Sequence, residues 1–294
     1  MSGNIEGSGQ TAVGVLPGHL QDRAHPERAG ADALAAIKYA IENHPRSLQQ
    51  QIGPSEVGEP CSRKLGYKLL GTPERPQQPN WKATVGTAVH LWLQEVLDAY
   101  NVANAAAADG EERYLLESKV TTGYAPGVGF VTGSCDVYDR VTATVIDWKT
   151  TTPDKVKKYR AGHIPPAYQV QPHLYGLGWV NRGMPVDQVA LIFLPRNGEL
   201  SDAYVWQQPF DPQVGLAALQ RLSGIAAATT ALGIKALDVL PTADSYCTFC
   251  PFYRRDSVDL STGCPGHAGK VEARVQGQLD GLLDPTTRPI SSTH

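Results

Sequence analysis

The stretch Thr144-Val145-Ile146-Asp147-Trp148-Lys149 decides how this chain is read. Its β-branched and aromatic side chains predict a strand. A period of two then puts Asp147 and Lys149 on one face and Ile146 and Trp148 on the other, the latter being the expected core face. A second strand pattern, Val128 to Tyr138, ends just before it, with a turn over about residues 139 to 143. An antiparallel return of that length pairs Tyr138 with Val145, and the same register sets Asp136 opposite Asp147. Two converging carboxylates raise one another's pKa unless a cation lies between them, and hard oxygen ligands suit Mg²⁺ or Mn²⁺. Lys149 beside such an ion can orient or deprotonate a water, or neutralise charge building up on a phosphate. That set of groups suits phosphodiester hydrolysis. The plainer reading of an isolated Asp-x-Lys is an exposed ion pair worth little energetically.

Outward from this hairpin the pattern is regular. A strand from Tyr114 to Val120 precedes it, after helices at 31 to 43, 60 to 70 (with Gly71 as stop) and 81 to 100. A helix from about 167 to 181 follows, which Pro172 must kink unless it sits in the first turn. Strands at Val189 to Leu194 and Ala203 to Gln207 come next, then a long helix from about 212 to 237. This order predicts an α/β fold, a central mixed β-sheet flanked by helices. The 294 residues carry 41% apolar and 19% charged side chains, enough for a substantial core, with Gly 29 and Pro 22 marking extensive loops. Residues 1 to 30 and 269 to 294 read as mobile tails around one domain, 31 to 268. A formal charge of −3 excludes a molecule coated in positive charge, so any nucleic-acid contact must be local. There is no phosphate-binding Gly-x4-Gly-Lys-Ser/Thr loop, and the opening Met1-Ser2-Gly3-Asn4 has no basic region before an apolar run, so no secretory leader is expected. The uncharged run Leu222 to Ile234 is too short and too rich in Thr and Gly for a membrane span, so a cytoplasmic protein without membrane contact is expected.

Flanking signals raise the weight of Asp147 and Lys149. Gly86-Thr87-Ala88-Val89-His90 lies on the preceding helix, and on the following one Gln171 and Tyr175 share a face at i, i+4 behind Tyr168. Each alone reads as an ordinary helix residue. Together, in this order, the chain resembles the RecB-like branch of the PD-(D/E)XK nucleases over about residues 55 to 265. The family's four motifs correspond to Gly86 to His90, Gly133-Ser134-Cys135-Asp136, Asp147-Trp148-Lys149 and Gln171 to Tyr175. The resemblance implies a restriction-endonuclease-like core with His90, Asp136, Asp147 and the main-chain carbonyl of Trp148 as metal ligands. It makes Lys149 the catalytic lysine, and it has Gln171 and Tyr175 contact DNA or hold the surroundings of that lysine. Glu117 on the first strand is either a supporting acid or an exposed strand residue.

Cys247-Thr248-Phe249-Cys250 is a hook that fits zinc, redox or iron-sulfur chemistry. Pro follows both Cys250 and Cys264, as in ferredoxin-like runs, and a fourth thiol is available at Cys61. Cys61-Ser62-Arg63-Lys64 resembles the Cys-Pro-Arg-Lys start of RecB-like nucleases that carry a 4Fe-4S cluster, including the CRISPR-associated exonucleases and the AddB subunit, with Ser62 where Pro is usual. The resemblance implies that Cys61, Cys247, Cys250 and Cys264 bind a 4Fe-4S cluster joining the N- and C-terminal segments, in a module of Cys61 plus residues 244 to 266. Zinc on the same thiolates is the alternative, with His267 as a substitute for Cys264. Cys135 should pack as a small buried hydrophobe.

Basic residues interleaved with aromatics suit a single strand, whose phosphates need cations and whose bases stack. Candidates are Arg63, Lys64 and Lys68, the run Asp154 to Arg160, and Arg254-Arg255 beside Phe252 and Tyr253. The resemblance implies a metal-dependent exonuclease on single-stranded DNA ends, working 5′ to 3′ in recombination, repair or end resection, with a recombination or strand-annealing protein as a partner. A non-cleaving DNA-binding or assembly protein of the same fold, and a structure-specific endonuclease, are the alternatives.

Overall fold

A computed structural model describes residues 29–43, 51–75, 80–105 and 110–267. The two expected tails lie outside the described residues, except that Ala29 and Gly30 open a helix. The chain divides into two compact units. The first contains α1 (Ala29–Glu42) and the opening turns of α4 (Trp81–Asn104), up to Leu91, with the Asn80 side chain accepting the Ala83 N–H at the start of α4.

The second unit holds the sheet. It comprises α2 (Pro54–Val57), α3 (Ser62–Leu69), the remainder of α4, β1 (Tyr114–Ala125), β2 (Gly129–Asp139), β3 (Thr144–Thr151), α5 (Pro153–Arg160), α6 (Pro166–Asn181), β4 (Gln188–Pro195), β5 (Tyr204–Pro209), α7 (Pro212–Leu232) and α8 (Ala236–Val239). The five strands lie side by side in chain order. β1, β2 and β3 form an antiparallel meander, α5 and α6 carry the chain over to β4, which runs parallel to β3, and β5 returns antiparallel. This is the mixed sheet that the sequence predicts.

Asn101, buried near the end of α4, fixes the entry to the sheet: its amide donates to the Tyr114 carbonyl and accepts the Tyr114 N–H. α6 packs on the sheet and α7 packs on α6. Tyr138 of β2 stacks on Trp179 of α6 at 4.5 Å, in a cluster with Val120, Cys135, Val145 and Tyr175. Leu174, Leu219, Leu222, Ile225 and Leu237 join Leu65 and Tyr67 of α3 in the largest core cluster. Burying these apolar side chains contributes roughly 1.5–3 kcal/mol each before entropy is set against it.

Pro172 lies in the interior of α6, one of the two placements the sequence leaves open. One boundary changes. The helix expected over 212 to 237 ends at Leu232, because Gly233 adopts φ +56, a left-handed conformation that breaks the run before a short 3-10 turn and α8. The span Pro212–Val239 is long and apolar enough to cross a membrane by length and composition, and Leu219, Leu222, Ile225 and Leu237 within it are buried in the core.

Candidate active site

The site grows from the places where strand pairing fails. Between the pairs Leu116↔Val137 and Ser118↔Cys135, Glu117 lies opposite Asp136, and Glu117 has φ +42. A non-glycine residue held there costs on the order of 1–3 kcal/mol, and such outliers cluster at functional sites. Here the distortion brings a carboxylate oxygen of Glu117 within 4.8 Å of one on Asp136. The Ser134 hydroxyl donates to Glu117 Oε2 at 2.8 Å.

β2 and β3 pair with Tyr138 against Val145, the expected register, but the ladder stops at Val137↔Ile146. Asp136 and Asp147 therefore lie just past its end. There Asp136 Oδ2 accepts the Trp148 N–H at 2.9 Å, so a side chain takes over a backbone donor that the ladder leaves.

The expected core face of β3 is reversed. Val145, which shares a face with Asp147 and Lys149, packs in the core with Trp179, while Ile146 and Trp148 are only half-buried. α6 covers the face carrying the acid and the lysine, and Asp147 is 1% exposed. Burying a carboxylate is costly unless it is paired and hydrogen-bonded. Here Lys149 Nζ contacts Asp147 Oδ2, and Gln171 of α6 joins both groups. The Gln171 amide donates to Asp147 Oδ1 at 2.9 Å, and its carbonyl oxygen accepts from Lys149 Nζ at 2.9 Å. The ammonium also lies 5.3 Å from the centre of the Tyr168 ring. Burial pulls the Lys149 pKa down, but the attraction of Asp147 and then of Asp136 outweighs it, and the lysine stays cationic above its ordinary range.

Gln171 and Tyr175 are buried at 6% and 5% exposure, so both face inward from α6. Burial pushes the Tyr175 phenol well above its usual range, so it stays protonated. Its hydroxyl lies against Gly133, where a Cβ would sit 2.7 Å from the ring of Pro54 and 3.3 Å from the Tyr175 oxygen. That close approach is the physical reason for glycine three residues before Asp136. Cys135 is fully buried, with the Trp179 indole N–H donating to its sulfur, as expected for a packing residue. His90 is carried by α4, within the first unit.

The four other thiols meet elsewhere. Cys61 caps the N-terminus of α3, Cys247 opens a 3-10 turn that leads to Cys250, and Cys264 returns beside Tyr253. All four line one cavity with roughly 340 Å³ of atom-free space, part of it open to solvent, and His267 lines it as well. Lys64 also faces the cavity, and the Gly266 N–H points at Cys264 Sγ from 3.4 Å, with Arg63 Nη1 at 3.9 Å. Arg221 of α7 fixes the approach to Cys61 by donating to the carbonyls of Val57 and Glu59, both at 2.7 Å, and to the Ser62 hydroxyl.

No protein-family model matches the chain, and no curated protein sequence does. Seven solved chains match it. SSO0001 aligns over 76% of this chain and 93% of its own at 18% identity and a TM-score of 0.45. A phage-related exonuclease from Haemophilus somnus 129PT aligns over 64% and 94% at 13% identity and a TM-score of 0.33. The alkaline exonuclease LHK-Exo from Laribacter hongkongensis aligns over 62% and 89% at 11% identity and a TM-score of 0.36.

Several basic residues expected to hold nucleic acid are engaged inside the fold. Lys64 pairs with Glu59 and Lys68 with Glu56, both at 2.6 Å, and Arg63 Nε donates to the Leu237 carbonyl. Phe252 is 3% exposed and stacks on Tyr67 at 4.9 Å, so it is a core ring. Each has an internal partner that only tertiary contact supplies. Lys155, Lys157 and Lys158 of α5, by contrast, are exposed, as is Arg255. Sequence reasoning undervalued Glu117: its left-handed backbone carries no signal in residue type.

Proposed function

We propose that this protein is a metal-dependent DNA exonuclease that acts on single-stranded ends with 5′-to-3′ polarity, in resection for recombination or repair, in the cytoplasm and alongside a strand-annealing or other recombination protein. Residues 31 to 268 form the nuclease domain. The observation that carries the reading is the buried Asp147 paired with the half-buried Lys149, both clasped by Gln171 beside the carboxylate of Asp136. A surface ion pair needs no such clasp.

The donor set fits a hard divalent cation. Asp136 and Glu117 approach each other, and like charges at that distance call for a counter-cation. Asp136, Asp147, Glu117 and the Trp148 carbonyl would hold Mg²⁺ or Mn²⁺, and His90 joins them on its sequence motif. Such an ion supplies Lewis-acid charge at the phosphate and makes water a stronger nucleophile. The chain's own part is to place the Lys149 ammonium where charge develops on the phosphate, with Gln171 and Tyr175 fixing that placement and excluding water from behind it.

The four thiols fit a 4Fe-4S cluster. All four line one cavity, the donor set that such a cluster, or a single zinc as the alternative, would use. The Gly266 N–H and Arg63 would stabilise thiolate charge on Cys264. The cluster's part is structural, joining the N- and C-terminal segments.

The test is digestion of end-labelled single-stranded DNA with Mg²⁺ or Mn²⁺, with Asp147→Ala and Lys149→Ala expected inert and circular strands uncut. A wild type inactive with every divalent metal supports the non-cleaving binder instead, and cutting of circles supports the endonuclease. Protein purified without oxygen is expected to be brown and to contain iron and sulfide; zinc without iron overturns the cluster.

A further inference from the structure

The cysteine hook carries two aromatic side chains that nothing in the core or the site uses. Tyr246 is 66% exposed and Phe249 78% exposed, on either side of Cys247 at the opening of the 3-10 turn. Tyr246 has φ +56 and ψ +56, a left-handed conformation that is unfavourable for a large aromatic residue. Cations flank the pair. Lys155 Nζ of α5 lies 5.6 Å from the centre of the Tyr246 ring, and Arg75 Nη2 donates to the Thr248 carbonyl at 3.5 Å. The backbone of Arg75 is tied down by its N–H bond to the Pro251 carbonyl.

These groups connect to the proposed site through rings. Lys149 Nζ lies over Tyr168, Tyr168 packs edge-on against Tyr159 at 6.2 Å, and burial, then Tyr168 and then the nearby Tyr246 push the Tyr159 phenol up. α5, which carries both Lys155 and Tyr159, begins four residues after Lys149. The hook is thus the next surface that a strand leaving Lys149 along α5 would meet.

We infer that Tyr246 and Phe249 form a base-stacking platform for single-stranded DNA, with Lys155 and Arg75 neutralising the phosphates on either side. This rests on the nuclease reading above and adds to it the place where the strand is held outside the cutting site. Exposed aromatic rings between cations suit a strand without sequence preference, because every base has a π-face and every nucleotide a phosphate. The hook then serves in holding substrate as well as in ligating with Cys247 and Cys250.

The test is fluorescence anisotropy of labelled oligothymidylate with the full-length, cluster-loaded protein, in buffer free of divalent cations so that the strand stays intact. A same-length oligomer of abasic sites serves as the comparison. Tyr246→Ala and Phe249→Ala are each expected to weaken oligothymidylate binding about 5- to 100-fold, the weight of one base stack, and to leave abasic binding unchanged. Tyr246→Phe should restore binding, and unaltered cluster absorbance and melting temperature show that the variants are folded. Lys155→Gln should weaken both oligomers and lower the salt slope by about 0.7. Alanine variants that bind like a wild type that itself binds DNA overturn the platform and leave the nuclease reading standing. A wild type that binds neither oligomer overturns both.

Discussion

Asp147 and Lys149 are suited to a double-mutant cycle, because the partly buried ammonium touches a carboxylate that is almost wholly buried. Asp147→Asn leaves the ammonium with the Gln171 carbonyl oxygen, the Tyr168 ring and the weaker attraction of Asp136. Removing one member of a buried pair costs about 3–5 kcal/mol. Lys149→Met leaves the Asp147 carboxylate, 1% exposed, with the Gln171 amide as its side-chain donor and should cost a similar amount. Independent losses would sum to about 6–10 kcal/mol, which few domains of this size tolerate. The double variant strands no charge, so it should be more stable than that sum by about 2–3 kcal/mol. Denaturant unfolding without added divalent metal measures all four corners. The pH dependence gives a second check. The Lys149 pKa is raised in the folded state, so the pair's contribution is fully present below 10.5 and is lost only as pH rises through the higher folded value. Loss of Asp147 should bring the loss of lysine charge to lower pH. Additivity of the two single variants to within about 0.5 kcal/mol would refute the coupling of these side chains, and with it the clasped geometry.

Gly133→Ala should destabilise by about 1–3 kcal/mol, since the new methyl must displace the Pro54 ring and crowd Tyr175; unfolding at unchanged m-value would show it, and a neutral result would mean that the α2 segment is not seated there. His173 is buried, and its Nδ1 accepts the Asp211 N–H; burial lowers its pKa, so the unfolded chain takes up the proton first. Stability should therefore fall as pH drops below 6.5, and His173→Gln should flatten that slope; an unchanged slope would place the protonation elsewhere. Cys61→Ala should lose iron and sulfide together and lower the melting temperature, because α3 would lose its tie to the hook; full retention of iron would remove Cys61 from the ligand set.

The sequence by itself determined the order of elements, the Tyr138–Val145 register and the gathering of chemistry around Asp136, Asp147 and Lys149. These are local matters: alternation, turn length and motif spacing act over a few residues, and the strands follow them. The resemblance read Cys61, Cys247, Cys250 and Cys264 as one ligand set, and all four line one cavity. Tertiary structure alone decided which face of β3 is covered. The alternation of Asp147 and Trp148 is the same whichever side α6 packs on, and an acid beneath a helix is tolerable only because Gln171 and Lys149 arrive from elsewhere in the chain. Packing likewise decided that Lys64 and Lys68 end on Glu59 and Glu56, and that Phe252 is core while Phe249 is surface. Charge and aromaticity are properties of a residue, but availability to a ligand depends on which neighbours the fold brings to it.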